Sequence, residues 1–342
     1  MRIAAVTHAL PSRRITTRSI LEILRARNSS RLSEAELAAV EERVTTFLEG
    51  AGTETRYFLA EGERAFDLGL DAAERAMAEA GITGHDLDFI IYTGIGRGWL
   101  EPSTAAVFQP ALGAVRATCF DVLDGCAGWI RALQVSEGFF ASGAFRCGII
   151  LNSECGIEGF GEFRFDDLAD LEKYLATYTV GEAATATIVV KEAPGNFHMR
   201  FANYGEHASL CMIPLENASQ FMARAAELRP GRFFAHSHEL LSITTRKIIE
   251  VYESDPVFRD GVYDVAFGHA ASEKAAQLIR RRLEIPAATY FSTHAQFGNT
   301  ISASVPLAMS LAREQQRLNR GDRVLVIVGA SGITVGLATF TY

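Results

Sequence analysis

Residues 118–140 read TCFDVLDGCAGWIRALQVSEGFF, a short apolar run that stops at Asp124-Gly125 and resumes with helical spacing at Ile130, Leu133, Val135 and Phe139. That is a strand turning sharply into a buried helix, with Cys126 at the helix start. Unpaired backbone N–H groups and the positive end of the helix dipole favour thiolate over thiol there. The stretch therefore predicts a lowered thiol pKa and a candidate nucleophile, with Gly125 and Gly128 leaving room for an acyl chain or a second backbone. The ordinary alternative is a small buried hydrophobe at a tight junction, and the stretch by itself leaves that open.

Outward from this stretch, short apolar β-branched runs at 88–93, 147–152, 184–190, 262–267 and 323–328 read as buried strands. Helical patterns lie between them, among them 66–80, ended by Gly81, and 237–252, with Leu240, Leu241, Ile243, Ile248 and Val251 on one face. Ser33 and Glu36 form a capping box before a helix over 37–48. Strand and helix alternate, which is an α/β class. A Gly- and Ala-rich strand closes each half, near 181–190 and 329–341, which suggests an internal duplication; the turn residues of 193–196 mark the junction. The expected division is 1–193, carrying Cys126, and 194–342. Residues 157–179, aromatic and acidic, are expected to form a surface helix, with a pocket cover as the alternative.

At 342 residues the chain is long enough for two packed halves. Hydrophobic residues at 48% and charged residues at 22% exclude a disordered or fibrous chain. The net charge of −8, with scattered basic residues, argues against nucleic acid as a partner. No window carries about 18 uninterrupted apolar residues, and the first apolar stretch is too short for a signal sequence, so a cytoplasmic protein without membrane partner is expected. Five cysteines without CxxC pairing read as reduced thiols. Cys119, Cys147, Cys155 and Cys211 lack a helix-start setting and read as structural.

A thiolate mechanism needs a proton carrier and a donor to the oxyanion. His269 follows the run 265–268, and Asn299 follows Gly298 ahead of a small-residue helix. A structural histidine and a helix-capping asparagine are the bland alternatives. His236-Ser-His238, with Ser237 as a helix cap, lacks a third ligand, so no metal is expected. Gly94-Ile-Gly-Arg-Gly98 departs from dinucleotide-loop spacing and reads as a turn on the substrate side.

Together, DVLDGCAGW around Cys126, GHAAS around His269 and FGNTISASVP around Asn299 resemble the ketoacyl-ACP synthase III family of thiolase-fold condensing enzymes. GAGTETRYFLA at 50–60, GEAATATIVV at 181–190 and VGASGITVGLATF from Val328 extend the resemblance over the chain. It implies the thiolase fold, two similar α/β halves in five α-β-α-β-α layers, as a homodimer without metal or redox cofactor. Cys126 would carry the acyl group from acyl-CoA or an acyl carrier protein. His269 and Asn299 would donate to the extender's thioester carbonyl, and the N–H of Cys126 with one from the Ser331-Gly332 loop would form an oxyanion hole. Phe47 is the nearest aromatic to the family's CoA-stacking Trp, and Arg43, Arg56 and Lys274 are candidates for phosphate contact.

The chain has Ala270-Ala271-Ser272 where the family usually has Gln-Ala-Asn, and a sparser terminal loop at Gly329-Ala-Ser-Gly332. With Asp124-Gly125 before the nucleophile and Trp99 ahead of Pro102, this implies an altered acyl pocket and a specialised, secondary-metabolic role. The expected activity is decarboxylative Claisen condensation. Plain acyl transfer to an oxygen, nitrogen or carrier-protein sulfur is the alternative, and a silent partner subunit a third.

Overall fold

The computed structural model describes residues 1–193, 196–269 and 271–342. The first part runs β1 (Arg2–Ala9), β2 (Arg13–Thr16), α1 (Thr17–Asn28), α2 (Glu34–Ala51), β3 (Thr55–Phe58), α3 (Ala65–Ala80), β4 (Phe89–Tyr92), α4 (Thr104–Ala111), β5 (Thr118–Asp121), α5 (Gly128–Ser142), β6 (Cys147–Glu154), α6 (Leu168–Glu172) and β7 (Ala183–Val190). The second runs β8 (His198–Asn203), β9 (Cys211–Met212), β10 (Phe234–Ala235), α7 (Ser237–Ser254), α8 (Pro256–Arg259), β11 (Val265–Gly268), α9 (Glu273–Arg282), β12 (Tyr290–Phe291), α10 (His294–Phe297), α11 (Ser304–Glu314), β13 (Arg323–Ala330) and β14 (Thr334–Thr341).

Two five-stranded mixed sheets carry the fold, ordered β1-β7-β6-β4-β5 and β8-β14-β13-β11-β12. Numbered within its own part, each sheet is 1-5-4-2-3, with antiparallel pairing between the first three neighbours and parallel pairing thereafter. The same topology twice is the duplication that the closing Gly- and Ala-rich strands suggested. The sheet changes between Val190 and His198; of the expected junction, Pro194 and Gly195 lie outside the described residues, as does Ala270 of the GHAAS motif.

The layers follow from which faces are apolar. The largest core joins Trp129, Ile130 and Leu133 of α5 and Val305, Ala308 and Met309 of α11 to β4 and β6 on one side and β11 and β13 on the other. These two helices are therefore apolar on both sheet-facing sides and form the central layer. α3 and α4 cover the outer face of the first sheet, and α7 and α9 that of the second, which completes five layers. α2 is N-capped by Ser33, whose capping box with Glu36 is formed.

Two expectations need correction. The run 262–267 enters the sheet only at Val265, where pairing with Val324 begins; Val262 is 83% exposed, and Tyr263 turns its hydroxyl to Phe258 O instead. Residues 157–179 are not a surface helix. They form short turns around α6, and Phe163, Phe165, Leu171, Leu175 and Tyr178 pack against α1 and α2. Their aromatic content is what makes burial the stable outcome.

Candidate active site

Three chain reversals bring chemistry to one place. Cys126 lies in a 3-10 turn, Gly125–Ala127, that joins β5 to α5. Gly125 takes φ +49, and a Cβ there would sit 2.9 Å from Ser331 Oγ, so the turn and the β13–β14 loop are in contact. Gly128 lies so close to the β4 end that a Cβ would fall 1.9 Å from Thr93 Oγ1. His269 leaves β11 with its N–H bonded to Ile327 O at 2.9 Å. Asn299 is delivered by Gly298 (φ +68) and pinned by its backbone, N–H to Thr179 O at 2.8 Å and O from Gly181 N–H at 3.0 Å. Cys126, His269 and Asn299 line one cavity of about 1200 Å³.

The cavity's electrostatics overturn one expectation. Burial pushes the Cys126 thiol well above its ordinary value, with smaller contributions from the Cys211, Glu154 and Asp124 charges, against the lowering from its own backbone N–H. Desolvation outweighs a single helix terminus, so Cys126 rests as a thiol and needs a base. Burial likewise lowers His269 to about 4, so the imidazole is neutral at physiological pH. The Ser304 hydroxyl donates to Ile301 O at 2.9 Å and accepts from Thr300 Oγ1 at 3.2 Å. Its one hydrogen is thereby used, and the 3.1 Å contact to His269 Nδ1 takes its proton from the ring. Nε2 is left with its lone pair, an acceptor at rest. Asn299 Oδ1 accepts from Ile301 N–H at 2.9 Å, which fixes the amide and leaves Nδ2 as the donor.

The remaining sequence candidates divide. Ser331 lines the cavity and Gly332 follows it at φ +96. Trp99 and Phe47 also line it; Trp99 Nε1 donates to Pro102 O at 2.9 Å. Arg43 lines it too, but its guanidinium is forked onto Glu172. Arg56 is fully buried on β3, donating to Tyr178 O, with Nε and Nη1 unpartnered, so no phosphate reaches it. Alternation along a short strand turns it inward, and burial lowers its pKa to about 10. Lys274 is exposed on α9, beside the lining residues Ser272 and Ala275. Asp124 does not shape the cavity wall: it pairs with Arg131 at 2.9 Å and accepts from Thr334 Oγ1 at 3.2 Å.

The loop 94–98 is on the substrate side, contributing Ile95, Arg97 and Gly98. His236 and His238 line the cavity, and His236, not Ser237, is the N-cap of α7. Among the described residues no group of three or more His, Cys, Asp or Glu is placed to hold a metal. Cys211, read from sequence as structural, shares the cavity with Cys126. The sequence reading also missed Glu154, a fully buried carboxyl at the end of β6 that contacts Ser302 beside Asn299. Its only local signal is an acidic residue closing an apolar strand.

A family model described as 3-oxoacyl-[acyl-carrier-protein] synthase III C-terminal matches residues 261–342. The chain is 24% identical over 293 residues to the β-ketoacyl-[acyl-carrier-protein] synthase III of Chlamydia caviae, covering 83% of this chain and 84% of that protein. To the protein of the same name from Bradyrhizobium diazoefficiens it is 25% identical over 321 residues, covering 90% and 93%. Among solved structures it superposes on Xanthomonas campestris OleA with bound lauric acid and lauroyl-CoA at TM-score 0.82 and 19% identity, covering 99% of this chain and 98% of the other. At that identity the likeness establishes the fold.

Proposed function

We propose that the chain is a condensing enzyme of the ketoacyl-ACP synthase III type, which carries an acyl group as a thioester on Cys126 and condenses it with a malonyl-type thioester; the match of residues 261–342 and the likeness to the curated synthases support this reading. The observation that carries this reading is the meeting of Cys126, His269 and Asn299 in one apolar-walled cavity, each at the end of a rigid element. Its volume of about 1200 Å³ exceeds that of a usual drug-sized pocket and suits a pantetheine arm with an acyl chain.

In this account, neutral His269 takes the thiol proton at Nε2 as Cys126 attacks the donor thioester, and returns it to the departing thiolate. The N–H groups of Cys126 and the Ser331-Gly332 loop stabilise the tetrahedral oxyanion. When the malonyl-type carboxylate leaves as carbon dioxide, Asn299 Nδ2 donates to the carbonyl oxygen on which the enolate charge develops. The enolate carbon then attacks the acyl-Cys126 carbonyl, and the thiolate leaves. The hydrogen-bond inventory at Ser304 favours acceptance by His269 at rest, which shifts the enolate-stabilising weight to Asn299.

The donor is acyl-CoA or an acyl carrier protein. Lys274, Arg281 and Arg282 are exposed on α9, the helix that lines the cavity through Ala275 and Ile279, and they form no ion pair among the described residues. That stripe fits phosphates or an acidic carrier surface. We place the protein in the cytoplasm as a homodimer of two-part subunits divided at 193/194. Among the described residues β5 pairs with β4 alone, and Leu123, two residues past its end, is 62% exposed, an edge suited to a second copy. The altered motifs favour a specialised pathway over housekeeping synthesis; efficient use of acetyl-CoA with malonyl carrier protein would overturn that.

Asn299→Ala tests the chemistry. Loading of Cys126 is expected to persist while carbon dioxide release and carbon–carbon bond formation fall about 100-fold, the range of a lost oxyanion donor. Unimpaired condensation would refute the assigned role.

A further inference from the structure

Arg56 takes no part in the proposed reaction, yet it is fully buried on β3 and forms no ion pair among the described residues. Burial lowers its pKa only to about 10, so the guanidinium stays charged at neutral pH. A buried cation without a carboxylate costs stability, and an apolar side chain of the same length would fill the space without that cost. Nη2 donates to the carbonyl oxygen of Tyr178, while Nε and Nη1 have no partner.

That one bond completes an exchange of donors. Tyr178 lies in the 3-10 turn Leu175–Thr179. The amides three and four residues on, those of Gly181 and Glu182, are the ones that would close a helical turn onto its oxygen. Both are engaged elsewhere: Gly181 N–H donates to Asn299 O at 3.0 Å, and Glu182 N–H to Tyr57 O at 2.9 Å. Tyr178 has no exposed surface, so its carbonyl would be left buried and unsatisfied. Arg56 supplies the missing donor and leaves Gly181 N–H to Asn299.

Asn299 depends on that amide. It meets the 179–181 segment in a single parallel bridge, Val180 with Asn299, held by Asn299 N–H to Thr179 O at 2.8 Å and by Gly181 N–H to Asn299 O. The two backbones approach across glycines: a Cβ on Gly181 would fall 2.0 Å from Phe297 O, and one on Gly298 2.4 Å from Thr179 O. Neither glycine has a side chain to hold the pair, and the stem of Arg56 covers both, with its Cβ 3.0 and 3.3 Å from those two Cβ positions. We propose that Arg56 is a positioning residue for Asn299: by donating to Tyr178 O it frees Gly181 N–H to clamp the Asn299 backbone, and so aims the amide at the enolate oxygen. The service to condensation rests on the function proposed above.

Arg56→Met removes the donor and lets Gly181 N–H return to Tyr178 O. It is expected to lower condensation about tenfold at unchanged KM, with Cys126 acylation near wild type. Its melting temperature should be no lower than wild type, because an unpaired buried charge is gone. Arg56→Lys, which keeps a charged donor, is expected to recover most of the loss. In an Asn299→Ala background Arg56→Met should lower condensation no further, since both act through one amide. A methionine variant that melts lower or does not fold, or that loses acylation and condensation together, would make Arg56 structural only and overturn the inference. No loss of condensation, or losses that multiply in the double variant, would overturn it equally. Should Asn299→Ala alone leave condensation intact, the role assigned to Asn299 falls and this inference with it; where Asn299→Ala is impaired, the Arg56 results judge the inference alone.

Discussion

Burial of His269 makes a quantitative forecast. The side chain is 7% exposed and its pKa is lowered to about 4 from 6.5, with desolvation as the largest cause. As pH falls, the unfolded chain binds this proton before the folded one does, so the stability at stake is fully present above pH 6.5 and is lost between about 6.5 and 4. Integrating that difference between pH 7 and pH 4.5 gives about 2 kcal/mol. His269→Gln removes the titration and keeps a polar side chain. Urea unfolding of both proteins at the two pH values should show the wild type losing about 2 kcal/mol more than the variant on acidification. His8, also lowered by burial, is common to both and cancels. Equal losses would refute the claim that His269 rests neutral, and with it the base role at Nε2.

Other outcomes follow from particular contacts. Gly128→Ala, whose Cβ would fall 1.9 Å from Thr93 Oγ1, is expected to destabilise by about 1–3 kcal/mol in urea unfolding, because backbone and β4 end cannot both stay in place. Paired reversal of Lys274→Glu and Arg281→Glu should raise KM for a carrier-protein-borne or CoA donor about tenfold and leave a bare pantetheine thioester unaffected, since only phosphates and acidic surfaces feel the α9 stripe. Unchanged KM for all three donors would remove α9 from the docking account.

The parts of the molecule legible in the sequence were those decided locally. The central strands are continuous apolar β-branched runs because both faces are covered, as in 147–152 and 323–328, and these fell within β6 and β13. Cys126, His269 and Asn299 stood out because each follows a strand or glycine at an element end, where side chains reach a shared cavity. What depended on distant residues was not legible. The Cys126 thiol is expected to be acidic from its own helix start, but burial against Ile157, Val180 and Ile301, all distant in sequence, raises it instead. Glu154 and Ser302 are 148 residues apart, so neither signals the other. Arg56 read as a phosphate ligand because a short strand does not announce which face is inward. Residues 157–179 read as surface because their acidic side chains, which pair with Arg31, Arg43 and Arg229, hide how deeply the aromatic ones are buried.

Intact-mass measurement after exposure to acyl-CoA thioesters of varied chain length, with carrier-protein thioesters alongside, tests the central claim most directly. Wild-type protein should gain the mass of one acyl group and Cys126→Ala should gain none; a variant that still acquires the acyl mass, or a wild type that acquires none from any donor, would contradict Cys126 as the acyl carrier.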